Sequence, residues 1–142
     1  MKISEVMTRD VRTVRPDQTA QEAASFMLSE DTGSMPVSDG DRLLGMITDR
    51  DIAVRGVAKG HGPDTPVSEL MTNDVVCARD TDDVADVASK MSSAQVRRLP
   101  VVDRDERLCG IVSLGDFSRE ADVDCASKAL EGVSEPGGQH QQ

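Results

Sequence analysis

The chain carries one pattern twice, and this internal repeat constrains its fold more than any other feature. ISEVMTRDV, Ile3 to Val11, lies over VSELMTNDV, Val67 to Val75, at an offset of 64 residues that aligns Ser4 with Ser68, Met7 with Met71 and Asp10 with Asp74. The same offset carries Ala24 onto Ala88, Met27 onto Met91, Pro36 onto Pro100, Val37 onto Val101 and Asp39 onto Asp103. The register then slips by one residue in the next turn, beyond which Gly45 meets Gly110, Thr48 meets Ser113 and Asp51 meets Asp116. Two copies of a unit too short to bury a good core alone are expected to pack on each other, sheet to sheet, with two clefts between them.

Hydrophobic periodicity gives each copy the order β-α-β-β-α. A short lead, Ile3 to Thr8 or Val67 to Thr72, precedes a β-branched run, Val11 to Val14 or Val75 to Ala78. Thr19 with Glu22 three residues on predicts a capping box, and Ala20, Ala23, Ala24, Met27 and Leu28 form one apolar helix face. Val84, Val87, Ala88 and Met91 draw the same face in the second copy, and both faces exceed what so small a chain needs to cover alone. Strands follow at Met35 to Val37 and Leu43 to Thr48, matched by Leu99 to Val102 and Leu108 to Ser113, with a turn rich in Asp and Gly inside each pair. Second helices start near Asp49 and Leu114. The division predicted is residues 3–59, a linker over 60–66, residues 67–122, and a last short helix and tail over 123–142.

Charge and composition remove several classes of function. Against 16 basic residues stand 26 acidic ones, a formal charge of −10, and such a surface repels phosphate backbones and anionic lipid headgroups. With no Trp, no Tyr and only Phe26 and Phe117, few rings exist on which bases can stack. Neither nucleic acid nor membrane is therefore expected as a partner, and with no signal-peptide core or membrane span the protein is predicted to be cytoplasmic. Cys77, Cys109 and Cys125 form no CxxC pair; Cys109 reads as core packing because its repeat partner is Leu44, and Cys77, in place of Thr13, reads as a strand residue or a reactive thiol. His61 and His140 lie in loops without ligand spacing, so no metal site is assigned. No nucleophile-base set, P-loop, GxGxxG or HExxH is present, and the chain is not expected to be an enzyme.

GMITDRDI, Gly45 to Ile52, and GIVSLGDF, Gly110 to Phe117, each put a hydroxyl at the end of a buried strand and a carboxylate three residues later in the first turn of a helix. Unpaired N–H groups there attract an anion, the hydroxyl adds a donor, and the carboxylate can accept both hydroxyls of a ribose. The same spacing also makes an ordinary helix cap that needs no ligand. Arg97 and Arg98, which by themselves read as a solvated basic pair on an acidic protein, precede the second copy of this motif; the first copy has Gly33 and Ser34 in their place. Arg50, inside TDRD, is a second source of positive charge.

The lead-ins SEVMT and SELMT, the Pro-Val-x-Asp strand ends and the G-h-h-[ST]-x-x-D endings, in the same order in both copies, make the repeat resemble the CBS domain and the tandem a CBS pair, or Bateman module, over residues 3 to 122. The fold class is thus expected to be α/β, a CBS-domain pair of two β-α-β-β-α repeats with pseudo-twofold symmetry. The resemblance implies that Thr48 and Asp51 mark one adenosine-ligand site, and Ser113 and Asp116 another. VRRLPVVD followed by GIVSLGDF is similar to an AMP site of the regulatory subunit of the AMP-activated protein kinase, which implies that Arg97 and Arg98 touch phosphate. TDRDI, the stretch Val57 to Gly60, and VRR-P-V are similar to the small free-standing CBS-pair proteins, the hypoxic response protein among them. The implied function is that of a regulatory sensor, requiring no cofactor, with AMP or ATP as ligand ahead of S-adenosylmethionine or NADH. A homodimer associating through exposed helices and an unidentified protein partner go with it. The alternatives are a ligand-independent scaffold linked to stress response and a metal or redox protein using Cys77, Cys125 or His61.

Overall fold

Each lead folds onto the half of the chain in which it does not lie. The computed structural model describes residues 1–120, and within them Arg12–Val75 form one unit while Met1–Val11 join the chain from Val76 onward to form the other. The first-repeat unit thus includes the lead of the second repeat, and the second-repeat unit includes the lead of the first. The last helix and tail over 123–142, with Cys125 and His140, lie outside the described residues.

In the first-repeat unit, α1 (Ala20–Glu30) starts at Thr19, whose hydroxyl accepts from the Glu22 N–H at 3.2 Å. Only half of the expected capping box forms, because the Glu22 carboxylate takes the Gln18 side-chain amide at 2.8 Å instead. α1 ends on Asp31 in the left-handed region, φ 52°. β1 (Ser34–Ser38) and β2 (Leu43–Thr48) form an antiparallel hairpin. The run Val11 to Val14 yields a single parallel bridge, Val14 to Val37, rather than a strand; Pro16, with no N–H and a fixed φ, ends the pairing there. After β2 the chain enters a wide π-type turn, Asp51–Gly56, in which the Val57 N–H reaches the carbonyls of both Ile52 and Ala53. Gly56 and the β-branched Ile52, Val54 and Val57 support a regular α-helix weakly, and this replaces the ordinary second helix expected near Asp49.

The second-repeat unit repeats the plan with β3 (Ala78–Arg79), α2 (Val84–Ala94), β4 (Arg98–Val102), β5 (Leu108–Ser113) and α3 (Leu114–Glu120). β3 pairs parallel with β4, and β4 antiparallel with β5. α2 ends on Gln95 at φ 57°, the position that matches Asp31. The slip seen in the repeat has a local cause. Asp39 Oδ1 accepts from the N–H groups of Asp41 and Arg42 in one hairpin, and Asp103 Oδ1 accepts from Asp105 and Arg107 in the other. The extra residue is absorbed at Glu106, φ 65°, without disturbing the strands.

The leads are docked by matching hydrogen bonds. Thr72 exchanges both backbone hydrogen bonds with Met46 (2.9 and 3.0 Å), and Thr8 exchanges both with Ile111 (2.8 and 2.9 Å). Such close approach requires glycine beside it: a Cβ on Gly45 would run into the Thr72 carbonyl oxygen, and one on Gly110 would lie 2.8 Å from that of Thr8. Val67 and Leu70 enter the core of Val14, Ala23, Met27, Met35, Val37 and Ile47. Ile3, Val6 and Met7 enter that of Val87, Met91, Leu99, Val101, Val112 and Phe117. Each core is therefore closed by residues distant in sequence.

The two helix faces do not share one fate. Val84, Val87, Ala88 and Met91 are spent inside their own unit, so α2 leaves no surplus apolar face, contrary to expectation. On α1, Leu28 is 84% exposed. Replacing Ile3, fully buried, with Ala is expected to cost about 2–5 kcal/mol in denaturant unfolding. Hydrogen exchange should then quicken in α2, β4 and β5 rather than in the sequence-adjacent β1 and β2; the reverse pattern would refute the exchange of leads.

Candidate functional site

Two hydroxyl–carboxylate junctions close the β2 and β5 strands. In the first-repeat unit the Thr48 N–H donates to Asp51 Oδ2 and the Asp51 N–H donates to Thr48 Oγ1, both at 3.0 Å. This reciprocal pair turns the chain from strand into helix, as the cap reading requires. It leaves the other carboxylate oxygen unused: Asp51 is 1% exposed, and its Oδ1 has no hydrogen-bond partner among the described residues. The nearest cation is Arg55, whose Nε stands 3.7 Å away, beyond hydrogen-bond length, while its Nη1 donates to the carbonyls of Leu70 and Met71 at 3.4 and 3.2 Å. The hydroxyl oxygen of Thr72, in the lead paired with Met46, is a second buried polar atom without a hydrogen-bond partner among the described residues.

Burial pushes the Asp51 carboxyl above the ordinary aspartate value, and it outweighs the Thr48 hydrogen bonds and the Arg55 and Arg50 charges that pull the other way. A cap alone has no need of such a charge, since the capping residue is Thr48 and the amide oxygen of Asn at position 51 would also accept the Thr48 N–H. Among the described residues Asp51 Oδ1 is thus held only by the Arg55 charge at 3.7 Å, which makes Asp51 a candidate ligand group.

In the second-repeat unit the Ser113 N–H donates to Asp116 Oδ2 at 2.8 Å, and the Ser113 hydroxyl reaches the same oxygen at 3.3 Å. Asp116 is buried, as Asp51 is. Arg98 pairs with Ser113 in the β4–β5 register, and the Arg97 carbonyl accepts from the Leu114 N–H at 3.3 Å, so the structure gathers Arg97, Arg98, Ser113 and Asp116 at one hairpin end. Arg97 is exposed and no carboxylate pairs with it among the described residues; Arg98 is half-buried. At the matching place in the other unit a Cβ on Gly33 would lie 2.9 Å from Asp49 Oδ2. Where one junction has an arginine, the other has a carboxylate.

Sequence reasoning missed Asp49, Arg55 and Thr72. Arg55 was legible as the i+4 partner of Asp51, but Thr72 lies in a lead whose docking on the other half of the chain is long-range and not readable from spacing. Cys109 packs against its core as expected, its thiol pushed up by burial, and Cys77 is half-buried. Among the described residues no group of three or more His, Cys, Asp or Glu is placed to hold a metal, and no helix is long and apolar enough to cross a membrane. A hollow of about 300 Å³ lined by Ala20, Ala24, Ile52, Val57, His61 and Leu70 contains none of the nominated site residues.

Against known families, the CBS domain matches residues 3–56 and again 67–122. The CBS domain-containing protein YhcV of Bacillus subtilis is 42% identical over 133 residues, 93% of this chain and 94% of that protein. Hypoxic response protein 1 of Mycobacterium tuberculosis is 32% identical over 134 residues, 93% of each chain. A crystal structure of hypoxic response protein I with two coordinated zinc ions superposes with a TM-score of 0.77 at 34% identity, over 84% of this chain and 98% of that one. CBSX2 of Arabidopsis thaliana, solved in complex with AMP, gives a TM-score of 0.74 at 27% identity over 84% and 95%.

The unsatisfied carboxylate has a signed effect on stability. With its folded value raised, Asp51 binds a proton more readily in the native than in the unfolded chain, so its contribution improves as pH falls toward the unfolded value near 3.8 and worsens as pH rises. Asp51→Asn is expected to stabilise the unliganded protein at pH 7 by about 0.5–2 kcal/mol. Thermal denaturation should show the gain shrinking in acid, and a loss of stability at pH 7 would refute the assignment.

Proposed function

From its membership of the CBS domain family, to which both halves of the chain belong, we propose that this protein is a regulatory module that binds an adenine nucleotide at the Ser113–Asp116 junction and passes its occupancy to a protein partner. The observation that carries this reading is that Arg97 and Arg98 lie at the same hairpin end as the half-buried Ser113 hydroxyl and the buried Asp116 carboxylate. The carboxylate suits a ribose diol and the guanidinium groups suit phosphate. The AMP complex of CBSX2 supports a nucleotide as the ligand class. Two guanidinium groups would repel a sulfonium, which places AMP, ADP or ATP ahead of S-adenosylmethionine. The site has acceptors and cations but no nucleophile with its base, and it acts by binding rather than by catalysis.

Association of two copies forms part of the same reading. Leu28, Val54 and Val57 are exposed by 84, 44 and 71% on the first-repeat unit, and Val57 also lines the apolar hollow beside α1. Covering this face in a homodimer would remove it from water, and it is where a change in occupancy can be read as a change in assembly.

Two measurements test these readings. AMP, ADP or ATP at about 100 times its Kd should stabilise the protein by about 2.7 kcal/mol, and the gain should vanish in Asp116→Ala and in the double variant Arg97→Ala, Arg98→Ala. A flat response across adenine nucleotides in wild type would favour the scaffold instead. Sedimentation should give a dimer at micromolar concentration that Leu28→Glu with Val57→Glu converts to monomer; a monomeric wild type would refute the interface.

A further inference from the structure

The hollow of about 300 Å³ beside α1 lies within the first-repeat unit and contains no residue of either junction. Ala20 and Ala24, one turn apart on α1, leave the room, and Ile52, Val57, Pro63 and Leu70 supply carbon walls. None of the ten residues that line it is Asp, Glu, Lys or Arg, although such residues make up 30% of the chain. Gln21 and His61, both exposed, carry the only polar side chains among them. Backbone donors in the walls are already committed. The N–H groups of Ala20 and Gln21 donate to the linker carbonyls of Thr65 and Pro63 at 2.8 and 3.1 Å, that of His61 donates to Gly56 at 3.0 Å, and that of Val57 reaches Ile52 and Ala53. The first two bonds also fasten the linker to the opening turn of α1, so the hollow is formed before anything enters it.

We propose that this hollow is a binding site for a small uncharged molecule, chiefly apolar and about the size of two fused rings, an input separate from any nucleotide. A charged group entering it would give up its hydration and meet no fixed opposite charge, while the N–H groups named above are not free to replace the lost water. An apolar body has no such cost and takes carbon surface on both sides out of water. A dry apolar cavity of about 150 Å³ admits one benzene ring, and this hollow is about twice that size. A single hydroxyl or amide on the ligand has Gln21 and His61 to meet it. Leu28 and Val54, on the wider face offered to a second copy, do not line the hollow, and Val57 is the residue shared. Ile52 lies in the π-type turn and Leu70 in the second lead, so an occupant packs against both and holds that lead in place.

The test is calorimetric titration of the full chain with naphthylmethanol, naphthoate and naphthylmethylammonium, each substituted at the same ring carbon. The neutral alcohol is expected to bind about tenfold or more tightly than either ion and to slow amide exchange at Leu70 and Thr72. Ala24→Leu, at an exposed helical position that suits Leu, should fill the hollow and weaken the alcohol by about tenfold or more, with thermal unfolding showing the fold retained. Equal binding of all three probes, or binding that survives Ala24→Leu, would overturn the proposal as surface adsorption. Binding of none would overturn it as well, and a wild-type dimer that Ala24→Leu dissociates would then assign the hollow to a second copy. Stabilisation by an adenine nucleotide would stand after either failure.

Discussion

The backbone exchange between each lead and a strand distant in sequence is the interaction on which the rest of the structure depends. Thr8 with Ile111 and Thr72 with Met46 each add one paired residue to the edge of a hairpin, two positions before the hydroxyl of a junction. Unpaired strand edges leave buried N–H and carbonyl groups unsatisfied, and here the leads satisfy them. Gly45 and Gly110 are explained by this contact rather than by any ligand, because a side chain at either place would occupy the lead's path. The first glycine of the G-h-h-[ST]-x-x-D motif is thus there for docking, while its last two polar residues cap the helix that follows. One short motif serves both docking and capping because strand pairing and the helix cap are two residues apart.

Local chemistry was the part of this fold that could be read from sequence. The Thr19 cap, the hairpin turns and the reciprocal Thr48–Asp51 pair all depend on residues within four positions of one another, where spacing alone determines contact. The slip between the copies was visible as an offset, and it proved to be one residue held at Glu106. What could not be read was long-range. Nothing in Ile3 to Thr8 distinguishes docking on its own half from docking on the other, since both offer the same kind of apolar notch. The face of α2 had the right period but no label saying that its own core would consume it. The π-type turn escaped because periodicity over six residues does not separate 3.6 from 4.4 residues per turn.

At the sites the same division holds. Residue types at the right spacing identified Thr48, Asp51, Ser113 and Asp116, and the structure places each pair in contact. The electrostatic contrast between the two junctions needed coordinates, because Asp49 and Gly33 lie apart in sequence and meet only where β1 begins and β2 ends. Duplication gave two equal caps; a handful of substitutions around them gave unequal charge. Internal repeats commonly allow this, since one copy can keep the fold while the other changes its chemistry.

The exchanged leads also set an order of events during synthesis. Ile3, Val6 and Met7 leave the ribosome well before the second-repeat core that covers them is complete, since its last strand ends at Ser113. At about 5–20 residues per second they wait some 5–20 s for that strand. The first-repeat unit is complete much earlier, once Thr72 has emerged to pair with Met46. One half can therefore mature while the other half's first hydrophobic residues are still unburied, a window in which a nascent-chain chaperone would find Ile3, Val6 and Met7 together on one short segment.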